Sequence, residues 1–214
     1  MTSQPEQHVQ DMGLLCLLDL DRLWPASPAP RVPVTFQRAD EALAGELATA
    51  MGLAGPAPVL QRLRLGRHCY IARVEDQLVA YGWLTFDKEE IGELGLSVRL
   101  LPGEAYIWDC ATLPAFRGKR LYPALLSHIL GELQRTGFQR VWIGMDTDNQ
   151  SSRTGAVLAG FQPVIDILLV RELHTRRFLV RGYPGVSSEY VQAAQYALLG
   201  DRNINSVPVT KDGL

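Results

Sequence analysis

One strand-to-helix junction restricts this chain more than any other segment. A β-type run, residues 105–112, feeds a short loop holding Arg117, Gly118 and Lys119, and an apolar-periodic helix starts at once. Such a junction points several backbone N–H groups and the positive end of a helix dipole at one spot, which suits a phosphate or pyrophosphate. Lys119 and Arg120 add positive charge beside it. The junction therefore predicts an α/β domain that binds a phosphorylated ligand between a strand end and a helix start.

Two phosphate motifs are excluded. A P-loop needs Gly-Lys followed by Ser or Thr, and here Gly118-Lys119 is followed by Arg120. A dinucleotide fold needs Gly-x-Gly-x-x-Gly after its first strand, and the segment offers only Gly118.

The rest of the chain supplies the frame. Residues 34–38 read as a strand, Asp40 as the N-cap of a helix over 41–51, and Gly52 as its stop. Residues 55–66 are a loop or a short helix. Residues 69–75 and 78–86 read as a hairpin, and 89–101 leave room for one more short strand. The helix over 121–135 puts Leu121, Leu125, Ile129 and Leu133 on one face, with Gly137 as its stop. Gly131 inside it costs about 1 kcal/mol against Ala and suggests close packing. A buried strand follows over 141–146, then a short helix to Ala159, then strands over 164–172 and 177–180 around His174-Thr175. Ser187 or Ser188 caps a last helix ending near Leu199. The pattern predicts a mixed, mostly antiparallel central sheet with helices on both faces. Its units are an N-terminal extension and Pro-rich linker (1–33), the α/β domain (34–182), and a C-terminal helix and tail (183–214). Within the extension, residues 13–24 read as a helix or strand packing on the domain.

Composition narrows the partners. With 47% hydrophobic and 21% charged residues, the chain can build a sizeable core, and a formal net charge of −2 gives no basic footprint for nucleic acid. Cys16, Cys69 and Cys110 are odd in number and form neither a zinc spacing nor a disulfide framework, so no metal is expected and a reducing cytoplasm is the simplest setting. Residues 12–18 are too short an apolar run to span a membrane, and the acidic start lacks the basic segment of a secretion signal.

The junction resembles the coenzyme A loop of the GNAT N-acetyltransferases. Thr112-Leu113-Pro114 stands at the strand end and Arg117 at the first loop position. Arg120 falls where that family has its first Gly, and Tyr122 where it has Gly or Ala. A second stretch is also similar: a strand, then Asn149-Gln150-Ser151-Ser152, a short helix, and Gly160-Phe161. Asn149 can cap that helix and Gly160 can close it. The likeness runs from Val34 to Val180. It implies a GNAT-like acyl-CoA N-acyltransferase fold that binds acetyl-CoA or another acyl-CoA. By resemblance, Arg117, Gly118, Lys119, Arg120, Leu121 and Tyr122 hold the pyrophosphate. Thr112 and Leu113 pair with pantetheine through backbone, and Asn149 with Ser152 serves the arm or the thiol.

Acyl transfer from a thioester needs an amide near the carbonyl oxygen, a proton acceptor for the amine and a proton for the leaving sulfur. The acid that the family often uses is a Tyr, and Ala156 occupies its position. The family's basic position on the central strand falls on Tyr106, which suits orienting a water better than removing a proton, since its ordinary pKa is about 10. Asp109, on the opposite face by alternation and flanked by Trp108 and Cys110, reads either as a structural acid or as an acid–base group raised by desolvation. Tyr106 and Asp109 are thus the catalytic candidates. Glu104 and Glu93 are placed to meet a cationic substrate. Cys110 reads as buried packing, His128 as a helix-surface residue, and Arg176 and Arg177 as turn charges.

The expected activity is transfer of an acetyl group to a primary amine of a small molecule or peptide. The alternative is a GNAT-shaped protein that binds coenzyme A as a sensor without turnover. A homodimer is left open.

Overall fold

The computed structural model describes residues 8–92, 94–172 and 175–199. Glu93, His174 and the tail from Asp201 lie outside the described residues, as do the side chains of Arg176 and Arg177. The elements are β1 (His8–Asp19), β2 (Thr35–Arg38), α1 (Ala44–Ala50), α2 (Ala57–Arg64), β3 (His68–Val74), β4 (Gln77–Thr85), β5 (Lys88–Ile91), β6 (Leu96–Arg99), β7 (Glu104–Thr112), α3 (Leu121–Arg135), β8 (Arg140–Asp146), α4 (Gln150–Leu158), β9 (Gln162–Glu172), β10 (Thr175–Gly182) and α5 (Ser188–Leu199).

Eight strands form one sheet in the order β10-β9-β1-β8-β7-β4-β3-β2, and β5 with β6 makes a separate hairpin. Every neighbouring pair is antiparallel except β7 with β8. This is the mixed, mostly antiparallel sheet that the sequence predicts.

Helices cover both faces. On one, Leu125, Ile129 and Leu133 of α3 pack against Leu14, Cys16, Ile107 and Ile143. Each such side chain, fully buried, stabilises by about 1.5–3 kcal/mol. On the other, α1 and α2 cover Ile71 and Trp83, while α5 covers Leu15, Leu17 and Trp142. Asp40 caps its short helical entry through bonds from the Ala42 and Leu43 amides. Gly131 has open space around its Cα, so close packing is not the reason for it. No helix among the described residues is long and apolar enough to cross a membrane.

Two segments outside 34–182 pack into the same sheet and core. β1 is an internal strand, paired with β8 through Gly13–Asp19 and with β9 through His8–Leu17. Leu14 to Leu18 are all buried, as a strand covered on both faces requires. A short apolar run of that kind gives no period by which to tell strand from helix. Likewise α5 belongs to the core, with Tyr190, Ala194, Ala197 and Leu198 buried beside Trp142.

Candidate functional site

The site starts where two parallel strands part. β7 and β8 pair from Glu104↔Arg140 to Ile107↔Ile143 and no further. Beyond that point β7 stays with β4 as far as Thr112, and β8 stays with β1 as far as Asp146. A gap opens between them on one edge of each.

A bulge accompanies the split. Trp83 pairs with Trp108 and Tyr81 with Ala111, so Gly82 alone opposes Asp109 and Cys110. Asp109 takes a left-handed backbone, φ 43°. Gly82 is needed, because a Cβ there would lie 2.9 Å from Cys110 Sγ. The bulge also breaks the expected alternation. Asp109 pairs with Arg62 at 2.5 Å, and that guanidinium stacks on Trp108 at 4.7 Å. Trp108 shares its core with Tyr106, so Asp109 turns to the face of Tyr106 and not to the opposite one.

Past Thr112 the chain makes a single 3-10 turn, Pro114–Phe116, and enters α3 through a left-handed loop. Gly118 has φ 76° and Arg120 has φ 61°. Among the described residues, the amides of Gly118, Lys119, Arg120, Leu121 and Tyr122 meet no protein acceptor. No acidic residue stands in the first turn of α3. Arg117 Nε is turned back to the Thr112 carbonyl at 3.2 Å, and Lys119 Nζ sits over the Phe116 ring at 4.5 Å. Arg31, from the Pro-rich linker, reaches the same loop. Its amide donates to the Lys119 carbonyl at 3.0 Å and its Nη1 to the Gly118 carbonyl at 3.3 Å. Arg31, Arg117, Lys119 and Arg120 have no carboxylate partner among the described residues.

A cavity of about 490 Å³ joins the strand gap to this loop. It is walled by Cys110, Ala111 and Thr112 of β7, by the loop, by the start of α3, and by Asn149, Ser152 and Gly155 at α4. The buried Thr112 hydroxyl has no partner. Asn149 caps α4, its Oδ1 accepting from the Ser152 amide at 3.0 Å and the Ser151 hydroxyl at 3.1 Å. The Tyr122 ring lies against Gly155, and its phenol meets Ser152 Oγ at 3.2 Å. Burial pushes the Tyr122 phenol well above its usual pKa, with Cys110 next in effect, so it stays protonated. Burial likewise pushes the Cys110 thiol up to about 12, so no thiolate stands in the gap.

Thr112, Arg117, Gly118, Arg120, Leu121, Tyr122, Asn149 and Ser152 all line this cavity. Lys119 does not, and stands at the rim beside Phe116. Leu113 is not free for a ligand, because its amide donates to the Val79 carbonyl at 2.8 Å. Neither catalytic candidate lines the cavity. Tyr106 is 5% exposed in the core around Trp142, and burial raises its phenol far above the usual value. Asp109 is exposed rather than enclosed by Trp108 and Cys110. Sequence reasoning missed Arg31, hidden in a proline-rich stretch, and the exposure of Cys110 to the cavity. Neither leaves a local signal, since both follow from tertiary placement.

Residues 41–154 match the model of the acetyltransferase (GNAT) family. A GNAT-family acetyltransferase from Colwellia psychrerythraea is similar at 12% identity and TM-score 0.54, over 77% of this chain and 57% of that one. A GCN5-related N-acetyltransferase from Sphaerobacter thermophilus is similar at 17% identity and TM-score 0.53, over 77% of this chain and 53% of the other. A GNAT acetyltransferase structure from Novosphingobium aromaticivorans has 17% identity and TM-score 0.48, over 76% of this chain and 65% of that one. The chain thus spans between about half and two thirds of the length of these structures. At such identities the likeness establishes the fold. Comparison with curated proteins gives no match.

Proposed function

We propose, since the chain belongs to the acetyltransferase (GNAT) family, that it transfers an acetyl group from acetyl-CoA to a primary amine of a small molecule or peptide. One observation carries this reading: the unpartnered amides of Gly118, Arg120, Leu121 and Tyr122 and the β7 side of the strand gap belong to one cavity. The residues fit the cofactor. Amides at a helix start suit a diphosphate, and the orphaned Thr112 hydroxyl suits a polar arm in the gap.

Acetyl-CoA, when bound, supplies a thioester whose carbonyl an amine attacks. The chain's own part is to hold the cofactor and to meet the charges that move. Gly118 to Tyr122 bind through backbone, with Arg117 and Arg120 lending charge at close range. The gap between β7 and β8 orients the arm and shields it from water. Tyr122, fixed by Ser152, keeps its phenol protonated at the α3–α4 wall and can offer a hydrogen bond to a leaving thiolate, which takes its proton from solvent. Asp109, paired with Arg62 beside Trp108, is the carboxylate that meets the protonated amine and, through water, takes the proton that the amine must lose before it attacks. Tyr106 remains protonated and serves the wall of the acceptor side. A cytoplasmic setting, suited to three free cysteines, belongs to the same proposal.

One observation favours a sensor without turnover: Ala156, fully buried, offers no hydroxyl where the resemblance expects a Tyr. Calorimetry with acetyl-CoA and free-thiol release across an amine panel separate the two. Binding with release supports the transferase, binding without release on any amine supports the sensor, and no heat with acetyl-CoA refutes both.

A further inference from the structure

The linker ahead of β2 is built into the loop that precedes α3. Two of Arg31's donors are spent on that loop, its amide on Lys119 and Nη1 on Gly118, across 87 residues of sequence in the second case. The bonded carbonyls belong to the peptide units whose N–H groups are those of Lys119 and Arg120. A trans peptide sends its carbonyl and its N–H in opposite directions. Arg31 therefore sits behind the loop and helps to turn those two amides away from itself.

The guanidinium has five N–H donors, and only Nη1 has a protein acceptor among the described residues. Arg31 is exposed and, like Lys119, stands outside the cavity lining. Together with Arg117 and Arg120 they gather four cations without one carboxylate, in a chain of net charge −2. On the acetyl-CoA reading the unpartnered amides of this loop go to the diphosphate. The cations at the rim point to a second, separate anion just beyond it.

We propose that Arg31, with Lys119, binds the 3′-phosphate on the ribose of coenzyme A, so that the linker is part of the cofactor site. This rests on the acetyl-CoA reading above. A phosphate monoester carries about −1.5 to −2 charge at pH 7, and an arginine fork matches its oxygens. The site then discriminates coenzyme A from its 3′-dephospho form.

The test is calorimetry of the full chain with coenzyme A and with 3′-dephospho-coenzyme A, using wild type, Arg31→Ala and Arg31→Lys. Wild type is expected to prefer coenzyme A by about tenfold or more, the scale of charge-assisted hydrogen bonds. Arg31→Ala should lose that preference, because it weakens coenzyme A by about tenfold more than the dephospho form, which loses only what the Nη1 bond to Gly118 lends the loop; Arg31→Lys should keep part of the preference. Thermal unfolding of each variant checks that the fold is intact. Equal affinity of wild type for both ligands overturns the proposal. So does a preference that survives in Arg31→Ala, or an equal weakening of both ligands, which would make Arg31 a brace for the loop. If wild type binds neither ligand, the cofactor reading itself fails and this assignment goes with it.

Discussion

Tyr122 of α3 and Gly155 of α4 touch so closely that a Cβ at position 155 would lie 2.3 Å from Tyr122 Cδ1. Helix propensity alone favours Gly→Ala by about 1 kcal/mol. At Gly155 overpacking reverses that sign, and Gly155→Ala should cost about 1–3 kcal/mol. Gly131, inside α3, meets nothing within 4 Å. There the same change should add about 1 kcal/mol. Urea unfolding of the two variants checks the opposite signs, and a stabilised Gly155→Ala would show that the ring is free to move.

The Tyr122 phenol and Ser152 hydroxyl form one hydrogen-bonded unit in the cavity wall. Tyr122→Phe keeps the ring against Gly155 and removes the hydroxyl with its bond to Ser152. Its acetyl-CoA affinity should stay within about threefold, while kcat falls by about 10²-fold, the lower end for loss of one hydrogen-bond donor to developing charge. Equal kcat in the Phe variant would show that the hydroxyl does not meet the leaving sulfur, and a matching loss of affinity would make it a binding group.

Arg120 holds φ 61°, a conformation that costs a residue with a Cβ about 1–2 kcal/mol. Arg120→Gly removes that strain and adds about 0.5–1 kcal/mol of chain entropy to the unfolded state. The variant should therefore unfold at an equal or slightly higher temperature, yet bind acetyl-CoA more weakly for want of the charge. A clear drop in melting temperature would show that the Arg120 side chain carries stability of its own.

Periodicity and turn chemistry made most of the frame legible. α3 begins at Leu121 and ends at Arg135 as its apolar stripe and Gly137 indicate, and the hairpin of β3 and β4 turns at Glu75 and Asp76 as its polar residues suggest. The place of β1 was not legible. Leu14 to Leu18 are buried on both faces, and which strands flank them is decided by pairings with residues 140–146 and 162–171. The loop at Arg117–Tyr122 was visible because its geometry is local. The side on which Asp109 lies was not, because strand alternation assumes regular pairing and one bulge opposite Gly82 shifts it.

That bulge rests on Gly82 and Cys110. A Cβ at 82 would stand 2.9 Å from Cys110 Sγ and 3.6 Å from Ile129 Cδ1. Gly82→Ala should therefore destabilise by about 1–3 kcal/mol. Most of that penalty should vanish when Cys110→Ala removes the sulfur, giving a coupling of about 0.5–3 kcal/mol in a double-mutant cycle. Additive losses would mean that the backbone at 82, and not the contact, sets the cost.

Two half-buried histidines predict the acid limit of stability. His128 stacks on Phe36 at 5.0 Å, and His68 meets the Phe86 ring edge-on at 4.7 Å. Burial holds both imidazoles below their usual pKa; Glu132 partly offsets this at His128, where Arg135 adds to it, and Arg38 adds to it at His68. The folded state thus binds fewer protons than the unfolded chain, whose imidazoles titrate near about 6.5. Their contribution is complete above that value and is lost as pH falls through the lower folded pKa values. Melting temperature should be flat above about pH 7.5 and fall toward about pH 5.5, before ordinary carboxylates titrate. The double variant His68→Gln, His128→Gln should flatten that slope whatever its absolute stability. An undiminished slope in the double variant would assign the acid sensitivity to other groups.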